Sequence, residues 1–198
     1  MKLTDSTDST ESTAEKLYRI NEIFYSLQGE GFHTGTPCVF LRFSGCNRRC
    51  EFCDTDFAAA TQMSASEIVD RLLQYPSRRV VATGGEPLLQ LDSRLIDALH
   101  EAGFTIAIET NGTLPVPAGI DWVTCSPKEP PLAIDRIDEL KIVFNGADPE
   151  QIAGLLPQAK HHFLQPLSCS NTEAVVDYIL AHPRWRLSLQ THKLIDIP

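Results

Sequence analysis

Between Phe43 and Phe57 the chain reads FSGCNRRCEFCDTDF, which puts three of its six cysteines, Cys46, Cys50 and Cys53, within eight residues. Thiols at Cys-x3-Cys-x2-Cys spacing in one loop are metal or cluster ligands by type. Structural zinc is closed by four ligands, so a zinc site here needs a distant fourth, such as Cys38, Cys125 or a histidine. A cubane 4Fe–4S cluster also ordinarily takes four thiolates. Held by three, it keeps one iron open to a small molecule, and an electron carrier becomes a catalytic centre. Three unliganded buried cysteines fit poorly beside Asn47, Arg48, Arg49 and Glu51.

A second element is TGGEP, Thr83–Pro87. Gly84 and Gly85 carry no Cβ and let backbone come close to a ligand. Alone, such a turn is a common connector. It gains weight from lying one helix and one strand after the cysteine loop. Polar residues also follow apolar segments at Glu109–Asn111, Ser126–Lys128 and Gln165–Ser168.

The elements that must position these groups are legible as alternating patterns. YRINEIFYSL and PCVFLRFSG read as strands. SASEIVDRLLQY reads as a helix with a capping box from Ser64 to Glu67 and with Ile68, Leu72 and Leu73 on one face. RRVVATGG is a short buried strand, DSRLIDALHEAG a helix closed by Gly103, and FTIAIET a strand. Further strands are expected at DWVTCS, DELKIVFNG, HHFLQPLS and WRLSLQTHK, the last three separated by helices at Pro149–Leu156 and Asn171–His182. This is an α/β chain with a mainly parallel sheet. The pattern leaves both an open sheet and a barrel as solutions, and both place sites at strand C-terminal ends.

The chain has 198 residues, 42% hydrophobic and 22% charged, which suits one domain, residues 17–198. Residues 1–16 repeat Asp-Ser-Thr and have almost no apolar side chains, so a disordered polar tail is expected there. Net charge is −9, and the tail, with two Lys and four Asp or Glu, leaves −7 on the body. That argues against nucleic-acid or anionic-membrane partners, which want a basic face. An apolar signal segment is missing at the start and no apolar run approaches spanning length, so a cytoplasmic location is expected. A reducing cytosol favours cysteines as ligands over disulfides.

Cys46-x3-Cys50-x2-Cys53 with Phe52 before the last cysteine, together with the Gly-Gly turn, resembles the radical S-adenosylmethionine superfamily. The resemblance implies that the open iron chelates the amino and carboxylate groups of S-adenosylmethionine, whose reductive cleavage yields a 5′-deoxyadenosyl radical. EIFYSLQGEG, FLRFSGCNRRCEFCDTDF and LSLQTHKLIDIP narrow this: together they resemble the 7-carboxy-7-deazaguanine synthase family of the queuosine pathway, over Glu22 to Pro198. That family converts 6-carboxy-5,6,7,8-tetrahydropterin to 7-carboxy-7-deazaguanine and ammonia, without net redox change, and regenerates S-adenosylmethionine. The implied fold is a shortened, open partial (β/α) barrel, and the implied assembly a homodimer reduced by an electron donor such as flavodoxin or ferredoxin.

Site residues carried over by the resemblance fall into three sets. Leu27, Gln28, Gly29 and Glu30 would meet the pterin edge, Arg42 would grip a carboxylate bidentately, and Thr83 would face the same substrate. His192 and the carboxylate of Pro198 would reach it from the C-terminus. Phe52, Cys53 and Asp54 would pass close to adenine and Gly85 close to the methionine end of the cofactor. Ser126, Pro127 and Lys128, with Gln165, Pro166, Leu167 and Ser168, would line ribose and adenine. Glu109 is either a further cofactor contact or a satisfied strand-end carboxylate. Thr55 matches a Mg²⁺ contact, and Mg²⁺ takes few protein ligands. Cys38, Cys125 and Cys169 are read as reduced thiols outside the ligand set.

Two other functions remain. An activating enzyme for a glycyl-radical partner shares the cysteine spacing but not LQGEG, Arg42 or THKLIDIP. A zinc-bound, non-catalytic interaction module would have no use for the Gly-Gly-Glu-Pro strand end. A simple electron carrier would want a fourth cysteine.

Overall fold

The computed structural model of the chain describes residues 15–50, 53 and 59–198, with Cys169 by its backbone only. Most of the expected tail therefore lies outside the described residues. At its end, Lys16 donates to Asp92 at 2.7 Å and to the Gln90 carbonyl at 2.9 Å.

Among the described residues nine strands form one sheet: β1 (Tyr18–Leu27), β2 (Pro37–Phe43), β3 (Thr61–Met63), β4 (Arg79–Gly84), β5 (Thr105–Thr110), β6 (Trp122–Cys125), β7 (Glu139–Phe144), β8 (His161–Pro166) and β9 (Arg186–Leu187). Their order is β3-β1-β2-β4-β5-β6-β7-β8-β9. From β2 onward every neighbour is parallel and each crossover steps one strand along in the same direction. Such crossovers are right-handed, so helices collect on one face and the other stays open. β1 is antiparallel to both β2 and β3, and β3 is a short edge strand that the sequence pattern does not reveal. The result is an open α/β sheet of partial-barrel type.

The helices are α1 (Ala65–Leu73), α2 (Ser93–Glu101), α3 (Pro149–Gly154), α4 (Thr172–Ala181) and α5 (Thr191–Leu194). The α1 capping box forms as expected: Glu67 N–H donates to Ser64 Oγ and Ser64 N–H to Glu67 Oε2. Ile68 and Leu72 are buried, but Leu73 is 40% exposed. Leu73 lies five residues beyond Ile68, and a 3.6-residue turn carries it off the buried stripe. Gly103, at φ 83°, ends α2 as the pattern required. No helix lies between β5 and β6 or between β6 and β7. Ile120, Ile134 and Ile137 from those loops cover the core instead.

Strand alternation sorts side chains between the two faces. On β2, Val39, Leu41 and Phe43 join the core under α1 and α2. Cys38 and Phe40 point the other way, packing with Val81, Ala107, Phe24 and Trp122, and Arg42 shares that open face.

WRLSLQTHK is not a continuous strand. Only Arg186–Leu187 pairs with β8, and α5 follows. The chain is drawn off the sheet edge because Thr191 N–H and Oγ–H both donate to the Gly29 carbonyl, at 2.9 and 2.8 Å. Among the described residues no helix is long and apolar enough to cross a membrane.

Candidate active site

A cavity of about 680 Å³ opens on the uncovered face, at the C-terminal ends of the parallel strands. Cys46, Cys50 and Cys53 line one end of it. Cys46 Sγ accepts the Arg48 backbone N–H at 3.4 Å, with Asn111 Nδ2 at 4.0 Å, and burial raises its thiol above the ordinary value. Asn47 bridges Asn111 and Thr113 at 2.9 and 2.8 Å, and Arg48 donates to the Glu129 carbonyl at 2.8 Å. The cysteine loop is thus tied to the ends of β5 and β6. Phe52, Asp54 and Thr55 lie outside the described residues.

The Gly-Gly turn braces that loop from below. Gly85 N–H donates to the Phe43 carbonyl at 3.2 Å, and Glu86 N–H to the Gly45 carbonyl at 3.0 Å. A Cβ on Gly85 would stand 2.0 Å from the Gly45 oxygen and 2.9 Å from Cys46 Cβ. Glu86 is fully buried and accepts from Asn111 N–H, Leu88 N–H and Thr110 Oγ–H at 2.8–3.0 Å. One carboxyl therefore holds the ends of β4 and β5 together.

Of the residues expected against the cofactor, Gly85, Glu109, Ser126, Lys128, Gln165, Pro166, Leu167 and Ser168 all line this cavity, and Pro127 does not. Ser168 takes a left-handed conformation, φ 46°. Asn171 supports that turn, accepting from Leu167 N–H at 2.8 Å and donating to the Phe144 carbonyl at 2.7 Å. Burial lowers the Lys128 ammonium below its ordinary value.

The expected substrate residues line the same space: Leu27, Gln28, Gly29, Glu30, Arg42, Thr83, His192 and Pro198. Arg42 and Thr83 sit side by side because β2 and β4 pair them in register. Arg42 Nε also bonds Glu22 at 2.7 Å and its guanidinium lies over Phe24. Gly29 has no side chain because a Cβ there would stand 2.1 Å from His192 Nδ1. Ser26 Oγ–H donates to a Pro198 oxygen at 2.9 Å, anchoring the last residue on β1.

Lys141, Gln190, Asn111 and Arg48 also line the cavity; Asn111 and Arg48 were noted in the sequence without a site role, and Lys141 and Gln190 were not noted. The one signal available was a lysine inside ELKIVF: lysine is almost never buried in a strand unless paired. Its Nζ contacts Glu30 Oε2 and lies 3.5 Å from Glu109 Oε2.

Cys38 and Cys125 are fully buried off the cavity, and burial pushes both thiols up to about 12. Cys38→Ser is expected to leave iron per chain unchanged after anaerobic reconstitution; loss of iron would place Cys38 among the ligands. The Cys169 side chain lies outside the described atoms.

A strand-end cavity with a three-thiol loop and a glycine turn, on an open, mainly parallel sheet, is the arrangement of an α/β enzyme that takes small molecules at its strand C-terminal ends, beside thiols of a type that hold a metal or cluster. Residues 41–161 match the Radical SAM superfamily. The chain is 61% identical to the 7-carboxy-7-deazaguanine synthase of Bacteroides thetaiotaomicron, over 90% of this chain and 98% of that protein. It is 46% identical to that of Bordetella pertussis, over 91% and 99%. The crystal structure of QueE from Escherichia coli superposes with a TM-score of 0.75 at 29% identity, over 89% of this chain and 95% of that one. The chain therefore belongs to the 7-carboxy-7-deazaguanine synthase family.

Proposed function

We propose that the cavity binds 6-carboxy-5,6,7,8-tetrahydropterin beside S-adenosylmethionine and that the chain converts this pterin to 7-carboxy-7-deazaguanine with release of one ammonia. The observation that carries the reading is convergence. Leu27–Glu30, Arg42, Thr83, His192 and Pro198, from separate parts of the chain, share one cavity with the three cysteines. An activating enzyme for a protein partner gives no reason for that set.

The donor set fits a 4Fe–4S cluster: three soft thiolates, N–H groups directed at Cys46 Sγ, and a glycine cradle beside them. Cys46, Cys50 and Cys53 would hold it, with the Gly85 backbone close to the S-adenosylmethionine amino group. When bound, the cluster and cofactor supply the hydrogen abstraction that starts the ring contraction and the hydrogen return that ends it. The chain's own residues bind and orient. The Arg42 guanidinium suits the pterin carboxylate, the Gln28 amide and Glu30 carboxylate suit the donor–acceptor edge, and Thr83 closes the same wall. Lys128 and the Gln165–Ser168 turn flank the cofactor.

Mg²⁺ held through Thr55 would clamp the substrate carboxylate. Cys53 is exposed, which gives a flavodoxin- or ferredoxin-type donor an approach to the cluster edge. Exposed Leu155 and Leu180, on the α3 and α4 side, support a homodimer that covers them.

The test is anaerobic reconstitution, reduction, and addition of S-adenosylmethionine, Mg²⁺ and 6-carboxytetrahydropterin. The expected product is lighter by one ammonia and forms many times per cofactor consumed. Release of 5′-deoxyadenosine with the pterin untouched overturns the substrate and favours the activating-enzyme reading.

A further inference from the structure

Lys141 sits on β7 with its side chain on the cavity face, two residues from Glu139, while Leu140 and Ile142 face the core. Its side chain is 4% exposed. A buried ammonium is tolerated only when paired and hydrogen-bonded. Here it contacts Glu30 Oε2 and approaches Glu109 Oε2 at 3.5 Å. Gln28 closes the ring from the other side: its Nε2 donates to Glu109 Oε1 at 2.8 Å, and its Oε1 accepts the Glu30 backbone N–H at 3.2 Å. Glu30 Oε1 takes the remaining donors, Gln190 at 2.9 Å and Gln165 at 3.3 Å. The ring thus joins a residue on the pterin side to residues on the cofactor side through one cation.

We infer that Lys141 is a positioning residue, whose ammonium holds the Glu30 and Glu109 carboxylates in place as acceptors for the two molecules in the cavity. The inference rests on the functional reading above and adds to it a residue with no assigned role there. A carboxylate can donate nothing and accept on both oxygens, whereas its protonated form donates one O–H. The pterin's guanidine-like edge offers donors, so it needs the acceptor form of Glu30.

The electrostatics agree. Burial would raise the Glu30 carboxyl, but the Lys141 ammonium, with Gln190 and His192, brings it below its ordinary value. Burial would lower Lys141, yet Glu109, Glu30 and Glu139 together hold it above its ordinary value. The titratable groups facing this carboxylate are Lys141 and Glu139 from β7, Glu109 from β5, Lys128 from the β6 end and His192 from α5. Removing only Lys141 leaves Glu30 buried near Glu109 and Glu139, three acids with their common cation gone.

The sign follows. With Lys141, Glu30 stays ionised across the neutral range and its contribution to pterin binding is flat with pH. In Lys141→Met, Gln190 and His192 still oppose burial but the largest opposing charge is gone, so the carboxyl rises above its value in the parent, and binding recovers as pH rises through the raised value.

The experiment uses reconstituted, unreduced protein, so that nothing turns over. It measures equilibrium binding of 6-carboxytetrahydropterin from pH 6.5 to 9, with iron per chain as a control. Charged hydrogen bonds are worth about 1.5–3 kcal/mol, which corresponds to a loss of roughly ten- to hundredfold at pH 6.5 in Lys141→Met, shrinking toward pH 9. Lys141→Gln, which keeps a donor for Glu30 without the charge, is read in the same way and serves if the Met variant does not fold. The double variant Lys141→Met/Glu30→Gln is expected to lose the pH dependence. Unchanged affinity, or an equal loss at every pH, overturns the inference and leaves the function standing. A parent chain that binds no pterin overturns both.

Discussion

Gly85→Ala is expected to abolish turnover and to weaken S-adenosylmethionine binding by at least about tenfold, because one methyl group has nowhere to go. The new Cβ would lie 2.0 Å from the Gly45 carbonyl oxygen, 2.5 Å from its carbon and 2.9 Å from Cys46 Cβ. Most of this is backbone, which cannot swing aside as a flexible side chain does. Relief requires the loop carrying Cys46 to lift off the end of β4. That breaks the bonds from Gly85 N–H to Phe43 and from Glu86 N–H to Gly45. Cluster retention and cofactor binding should fall together, read as iron per chain after reconstitution and as S-adenosylmethionine affinity without reductant. Gly154→Ala is the matched control, since a Cβ at Gly154 meets nothing within 4 Å and both readings should stay at the parent level. Iron and affinity unchanged in Gly85→Ala would mean that the turn does not brace the cluster loop.

The second large effect is on stability. Glu86→Ala should lower it by about 3–5 kcal/mol, a large share of the 5–15 kcal/mol that holds a domain folded. Glu86 is fully buried and receives three hydrogen bonds, from Asn111 N–H, Leu88 N–H and Thr110 Oγ–H. Alanine leaves a cavity and orphans these donors, two of them main-chain groups. Burial also raises the carboxyl above its ordinary value, so the ionised form carries a cost that a neutral amide avoids. Glu86→Gln should therefore be markedly milder than Glu86→Ala, because it keeps an acceptor and most of the volume. For a chain of this length each kcal/mol moves the melting temperature by about 2–4 °C, giving a drop of roughly 10 °C for alanine. Equal melting temperatures for parent and Glu86→Ala would show that the carboxyl does not join β4 to β5. The same variant should loosen Asn111, which touches Asn47 and Cys46, and so reduce iron retention as well.

Much of the site is readable in the sequence because its parts are local. Three thiols within eight residues, two adjacent glycines and an Arg four residues ahead of the first cysteine are facts of spacing. Strand and helix alternation placed each motif after a strand, and the C-terminal ends of parallel strands do gather in one cavity. The α1 cap and the Gly103 stop were equally legible, since each depends on residues within one turn.

Where local pattern misled, a distant contact had overruled it. Apolar alternation in WRLSLQTHK favours a strand, but the Gly29 carbonyl and the Glu30 carboxylate pull Gln190 and Thr191 across the cavity mouth. β3 carries only three residues, and its pairing to β1 is what makes it a strand.

The family resemblance supplied the residues matched to a pterin; by itself, the sequence determined the chemistry the chain can hold: a three-thiol loop, a glycine turn and an α/β frame. Residue type and short spacing suffice for these. Only the tertiary structure decided which groups share charge. Glu30 and Lys141 are 111 residues apart, and Gln190 is 160 residues from Glu30. No periodicity links such positions. Their meeting depends on β7 lying beyond β6 in the sheet, on strand alternation turning Lys141 to the open face, and on burial that makes an unpaired charge too costly to leave alone.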